Sequence, residues 1–199
     1  MAIIVDKVQK RKDIALACRE IFFQHGIKDL TISQIAKTAG IGKGTLYDYF
    51  KNKEDIVFEI VNILVQERNT IVEKQMSELT ITKDKIKLFS SFFYSDKDIE
   101  LRQLYKEFIS ISLSSPDEKM IEFQTKCFEL HYVWFEKIIQ DAIDSGEIIE
   151  QSKCLTRGMF VTADGMFIAS SSTNAIEDVQ QEINNYIDAI FELIEVKKQ

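Results

Sequence analysis

Apolar residues recur every three or four positions along almost the whole chain, the period of helices that bury one face. In residues 8–24 Ile14, Ala17, Cys18, Ile21 and Phe22 share a face, and His25-Gly26 ends the helix, with Gly26 as a left-handed cap. Thr31 with Gln34 three residues on is a capping box, opening a short helix buried through Ile32, Ile35, Ala36 and Ala39. A second short helix follows over about 43–49, with Leu46 and Phe50 inward. A long helix then runs from Lys53 through Ile56, Ile60, Ile63 and Leu64 to about Met76. Beyond it the pattern predicts helices near 83–94, capped by Thr82, and near 97–113, capped by Ser95 or Asp96. Ser115-Pro116 signals the start of another, which Gly146 stops. Segment 151–172 is helical and rich in small residues, and the last helix, about 175–196, carries Ile176, Val179, Ile183, Ile187, Ile190 and Ile194 on one stripe. About nine helices result, and the expected class is all-α.

Composition agrees. One proline and seven glycines in 199 residues are too few for the frequent turns of a strand-rich fold. No apolar run reaches a membrane span, and the N-terminal MAIIVDKVQKRKDI lacks the long apolar region of a signal peptide. Three scattered cysteines, Cys18, Cys127 and Cys154, fit a reduced cytoplasmic protein that uses thiols as small hydrophobes. The two histidines, His25 and His131, form no metal-ligand cluster, so no metal or cofactor is expected. Neither a Ser/His/Asp set, a Cys/His set nor a phosphate-binding glycine loop can be placed, and paired acids such as Asp117-Glu118 read as first-turn residues complementing a helix dipole. An enzyme is therefore not expected.

The net charge of −7 hides an asymmetry. Residues 1–55 hold ten Lys/Arg and seven Asp/Glu, net +3, which leaves −10 on the rest. A basic head can bind phosphates while an acidic body resists non-specific contact with DNA, although +3 over 55 residues also arises by chance.

Three of the seven glycines lie within five residues, Gly40, Gly42 and Gly44, where each costs a helix about 1 kcal/mol relative to alanine. Two short helices joined by a tight turn after a longer helix is the helix-turn-helix layout. The turn needs a left-handed residue, which Gly40 supplies, and Ala36 must be small where the helices cross. Gly42 and Gly44 bracket Lys43 at the start of the third helix, where missing side chains either bring backbone close to bases and phosphates or simply loosen a helix start.

The stretch TISQIAKTAGIGKGTLYDYFKNKEDI, within about residues 8–60, resembles the N-terminal domain of the TetR family of transcriptional regulators. The resemblance implies a helix-turn-helix DNA-binding domain over 1–52 and a helical regulatory and dimerisation domain over 53–199. It also implies a homodimer on a roughly palindromic operator of double-stranded DNA, and a small molecule that releases the DNA. Carried over by position, Lys43, Gly44, Thr45 and Tyr47 fall where the family contacts bases or phosphates, and Tyr49 and Lys53 where it grips phosphate. Thr31 and Ser33 lie where backbone amides can receive a phosphate. The chemistry fits: Lys43 can donate to guanine O6/N7 and the hydroxyls to phosphate oxygens. Asp48 departs from this, and facing sideways, accepting from cytosine N4 and pairing with Lys51 or Lys53 all remain open.

In the body, positions 89–135 hold eleven of the twenty-one aromatics. Phe128, Tyr132 and Phe135 share one helix face. Such a stripe is either core or the lining of a pocket for a small hydrophobic or amphipathic ligand, with Phe89, Phe93, Tyr105 and Phe108 as further lining. Small residues Gly158, Ala163, Gly165, Ala169 and Ser170, together with the isoleucine stripe of the last helix, either pack within the chain or form a two-fold interface of the last two helices. The expected function is a ligand-released repressor. The alternative is a helix-turn-helix regulator without a small-molecule ligand, controlled by a protein partner or by nothing.

Overall fold

The structure is a computed structural model, which describes residues 6–114 and 118–197. The apolar start MAIIV, the helix signal at Ser115-Pro116 and Asp117 of the acidic pair lie outside them. Among the described residues there are ten α-helices and no strand, so the fold is all-α. The helices are α1 (Lys7–Ala17), α2 (Arg19–Asp29), α3 (Ile32–Thr38), α4 (Lys43–Tyr47), α5 (Lys53–Ser77), α6 (Thr82–Ser90), α7 (Ile99–Ser114), α8 (Glu118–Asp144), α9 (Thr156–Ser172) and α10 (Val179–Ile194).

Two compact units result. The first comprises Met1–Asn69 with Gln103–Ser115, the second Thr70–Arg102 with Pro116–Gln199. α5 and α7 each pass from one unit into the other.

In the first unit the helix expected over 8–24 is two. At Cys18 the ladder tightens, the amide reaching both Ala15 O (3.0 Å) and Ile14 O (3.3 Å). The thiol is fully buried, and burial pushes its pKa up to about 11, which leaves it an inert packing group. Gly26 does break the helix, with φ +72°, but its ψ of 175° is extended, so it kinks the chain instead of forming a left-handed cap. Thr31 makes the full capping box with Gln34, and Gly40 takes φ +66° in the turn between α3 and α4. Alanine at Gly40 would face a conformation costing about 1–2 kcal/mol.

The second unit is built on α6, α8, α9 and α10, around Phe135, Ile139, Ile183, Ile187 and Phe191. Thr82 does not cap α6; its amide and hydroxyl both donate to the Glu147 carboxylate, at 2.8 and 2.5 Å. The expected 83–94 helix stops at Ser90, and residues 91–93 continue as a 3-10 turn. Asp178 caps α10 by accepting from Gln181 N (2.9 Å), three residues inside the expected start. Glu147 and Val196 close the end of the chain, Val196 N donating to Glu147 O (2.9 Å).

Across α6 and α10, Lys87 Nζ lies 2.7 Å from Asp188 Oδ1, with Lys83 Nζ at 3.7 Å. The hydrogen bond from Lys87 above all holds the Asp188 carboxyl below its ordinary 3.8. The carboxylate's contribution to stability is therefore complete above pH 3.8 and is lost as pH falls toward the lower, folded pKa. Asp188→Asn should flatten the acid limb of stability, measured as urea midpoints from neutral pH down to about pH 3; an unchanged acid limb would show that the pair contributes nothing.

Candidate nucleic-acid interface

Five residues make α4, far fewer than a helix needs to hold itself together in water. Neighbours fix it. Leu46 points inward, 1% exposed, and Phe50 just beyond is equally buried. From α1, Arg11 lays its guanidinium 4.1 Å over the Phe50 ring. The same group donates to the Tyr49 carbonyl, to Glu59 Oε2 (2.8 Å) and to Asp55 O (3.5 Å). One planar cation thus ties the exit of α4 to the first turns of α5, using the fork that lysine lacks.

With Leu46 inward, Lys43, Gly44, Thr45, Tyr47 and Asp48 are all exposed. Neither Gly42 nor Gly44 has positive φ. A Cβ at Gly44 would meet nothing within 4 Å, and at Gly42 only the Thr45 hydroxyl at 3.9 Å. The fold itself therefore requires neither glycine. Lys37, Lys43 and Lys51 are exposed and make no ion pair among the described residues.

The other expected contact residues are less free. The Thr31 hydroxyl donates to Gln34 Oε1 (2.7 Å), and Ser33 stands exposed in the first turn of α3. Tyr49 is half-buried. Lys53 donates to Lys28 O (2.8 Å) and Leu30 O (3.2 Å), so two of its three N–H groups hold the end of α2. Asp48 is the C-cap of α4 and pairs with neither Lys51 nor Lys53.

Of the seven expected ligand-site aromatics, five lie in the second unit, four of them around one ring, and two lie in the first. Phe108 lies in the first unit, buried edge-on against Phe58 at 5.9 Å, and Tyr105 is half-buried on the same helix. In the second unit the hub is Phe160 of α9, which sequence reasoning missed inside a segment read as small. It lies 5.0 Å from Phe128, 5.4 Å from Tyr132, 5.5 Å from Phe135 and 6.1 Å from Phe89. Phe93 packs on Phe167 at 5.6 Å, and Arg157 sits 4.1 Å over the Tyr132 ring. His131 donates from Nδ1 to the Cys127 carbonyl (2.8 Å) and is a satisfied histidine.

The isoleucine stripe of α10 is core. Ile183, Ile187 and Ile194 are at most 4% exposed within the single chain, so these three do not face a second copy, while Ile176, Val179 and Ile190 of the same stripe are half-buried. The outward side of α9 instead shows Gly158, Val161, Gly165 and Ile168, and that of α10 shows Ala189 and Leu193.

An exposed, externally braced helix following a glycine turn places the head in the helix-turn-helix class. Residues 14–60 match the family described as bacterial regulatory proteins, tetR family. That match covers the head alone, from the middle of α1 into α5. It is 38% identical over 69 residues to the HTH-type transcriptional regulator YhgD of Bacillus subtilis, covering 35% of this chain and 36% of that protein. The chain spans about half the length of the next curated relatives it matches. Among solved structures, FadR of Bacillus subtilis in complex with stearoyl-CoA superposes with TM-score 0.68 at 23% identity, over 90% of this chain and 96% of that one. A regulator from Saccharomonospora viridis in complex with choline gives TM-score 0.75 at 14% identity, over 96% of this chain and all of that one. These two likenesses establish the fold of the body. No described helix is long and apolar enough to cross a membrane.

Arg11→Ala should destabilise the protein by about 2 kcal/mol, since it strips a charged donor from two carbonyls and a carboxylate. Arg11→Lys should recover little of this. Urea unfolding checks both; full recovery by lysine would reduce Arg11 to a simple charge.

Proposed function

We propose that the protein is a dimeric, operator-binding transcriptional repressor whose α4 enters the major groove. The observation that carries this is the outward face of α4: Lys43, Thr45 and Tyr47 stand exposed beside two glycines that the fold does not require. Lys43 donates to guanine, and Thr45, Tyr47 and Tyr49 donate to phosphates. Gly44 lets the backbone approach closely. Thr31 and Ser33 at the start of α3 contribute amides, and Lys53 serves mainly as the brace of α2, with one N–H left for phosphate. One head makes few contacts, so two joined heads gain affinity through effective concentration, on half-sites about one helical turn or a multiple apart.

The second copy docks on the outward faces of α9 and α10. A Cβ at Gly158 or Gly165 would meet nothing within 4 Å in the chain, so their smallness serves an approach from outside it. Ligand acts in the second unit, at the aromatic cluster around Phe160, and reaches the head through α5 and α7, the helices common to both units. The structural neighbour solved with stearoyl-CoA supports an amphipathic ligand. A coupling of about 3 kcal/mol would lower operator affinity about 150-fold. One observation favours the second reading, a regulator without a small-molecule ligand: the rings of the cluster already fill one another's faces and edges.

Selection from a random DNA library should enrich an inverted repeat. Lys43→Ala should weaken binding to it at least about tenfold, the scale of a lost base contact. Binding that stays unselective and fades with salt would leave only phosphate attraction and sink the reading. Release of the selected complex by a long-chain amphipath, blunted in Tyr132→Ala, distinguishes the ligand-released form from its rival.

Gly165→Leu should leave helicity unchanged but convert a dimer to a monomer in sedimentation. A variant that stays dimeric places the interface elsewhere.

A further inference from the structure

The kink at Gly26 interrupts the helical ladder, and one of the bonds it disturbs has both of its ends taken up by another helix. In a continuous helix the Ile27 amide would donate to the Phe23 carbonyl, four residues back. That bond needs helical angles at residues 24–26, and Gly26 at φ +72°, ψ 175° precludes it. Both orphaned groups are taken by α7. Gln103 Nε2 donates to Phe23 O at 3.3 Å, and Glu107 Oε2 accepts from Ile27 N at 3.0 Å. Gln103 and Glu107 are four residues apart, hence on one face of α7. A donor and an acceptor one turn apart thus replace the two halves of the missing helical bond.

The fit is close. A Cβ at Gly26 would come within 2.9 Å of Glu107 Oε1, so the carboxylate would have to shift, and the φ of +72° itself favours glycine. Beside the kink lies a cleft of about 390 Å³, lined by His25, Ile27, Lys28, Glu107, Ser110 and Ile111, so the segment has room to rearrange. The segment also matters to the head, because Lys53 holds the carbonyls of Lys28 and Leu30 and Thr31 then opens α3. On α7, the residue before Gln103 is anchored in the second unit: Arg102 donates to Phe92 O (2.8 Å) and Ser95 O (2.5 Å).

We propose that residues 23–27 are a two-state hinge, held kinked by Gln103 and Glu107 of α7, and that the kinked state is the operator-competent one. If α7 shifts, Ile27 N–H and Phe23 C=O re-form their own bond, α2 straightens, and the entry to α3 moves. The two arrangements satisfy the same two backbone groups, so they are discrete alternatives, as a switch requires. Gln103 and Glu107 are positioning residues; neither touches DNA. The inference deepens the operator-binding reading by naming the element that ligand would reset.

The test uses the full chain, with backbone 13C shifts of residues 23–28 and affinity for the selected inverted repeat. In Gly26→Ala, and in Gln103→Ala combined with Glu107→Ala, the shifts should become helical and affinity should fall tenfold or more. Glu107→Gln keeps an acceptor oxygen and should retain the kink and affinity within twofold. Should the double variant not fold, Gln103→Ala alone and the exchange rate of the wild-type Ile27 amide serve instead. Ile27 should be protected in the wild type despite its kink, and Gln103→Ala should move the Phe23 shift toward helix. A kink that persists without both side chains overturns the latch. A straightened segment with unchanged affinity overturns its link to DNA. If no inverted repeat is selected, the operator reading fails, while the shifts still decide whether α7 holds the kink.

Discussion

A five-residue helix cannot hold itself together, and everything proposed for the head depends on what holds α4. Nucleating a helix costs more than a single turn returns, so α4 exists because its neighbours prescribe it. The Arg11 guanidinium is the strongest of these constraints. It accepts no compromise in geometry: one face stacks on Phe50, while its N–H groups reach the carbonyls of Tyr49 and Asp55 and the Glu59 carboxylate. Leu46 and Phe50 bury the inner side of the helix, and Gly40 turns the chain into it. Because the inner side is so fully committed, the outer residues are free of structural duty. Such a division suits a surface meant to be read by another molecule, since contact residues can vary without unfolding their scaffold.

The second unit shows the reverse allocation. Its most apolar helix spends its stripe inward, on Ile183, Ile187, Phe191 and Ile194, and leaves a smaller, mixed face outside. On α9, Gly158 and Gly165 lie out beside Val161 and Ile168, while Met159, Ala163 and Phe167 lie in. Phe160 sits between these regimes, half-buried, and gathers rings from α6 and α8. A single ring contacting four others is rigid, because each edge-to-face neighbour restricts the rest. Opening such a cluster for a ligand requires several rings to move together, which is why ligand release and a closed core are the two readings that matter.

Much of the head was legible because its signals are local. A capping box is two residues with one geometry, and Gly40 stood at the only place a tight turn could go; both behave in the structure as the sequence indicates. Long-range pairings were not legible. Nothing local in Thr82 marks it as a donor to Glu147, sixty-five residues away, so it reads as a cap when it is not. Arg11 is hidden in the basic run QKRKD, where only its planarity distinguishes it from the lysines. The α10 stripe shows a different limit: periodicity tells that a face is buried, but not whether its own chain or another copy buries it. Phe160 was passed over because its neighbours are small, although its spacing to Phe167 already placed both on one side of the helix.

Glycines separate these cases, since each can be asked what its missing side chain permits. Gly40 permits a backbone angle. Gly26 permits an angle and also a carboxylate, and is the only one of the seven whose added Cβ would collide within the chain. Gly44, Gly158 and Gly165 permit neither, so the fold leaves their smallness unexplained. A residue that costs about 1 kcal/mol in a helix is retained against that cost only if something else gains. The proposed operator contact on α4 and the proposed second copy on α9 would supply that gain from outside the single chain. The same question put to Gly26 points instead to Glu107, within the chain.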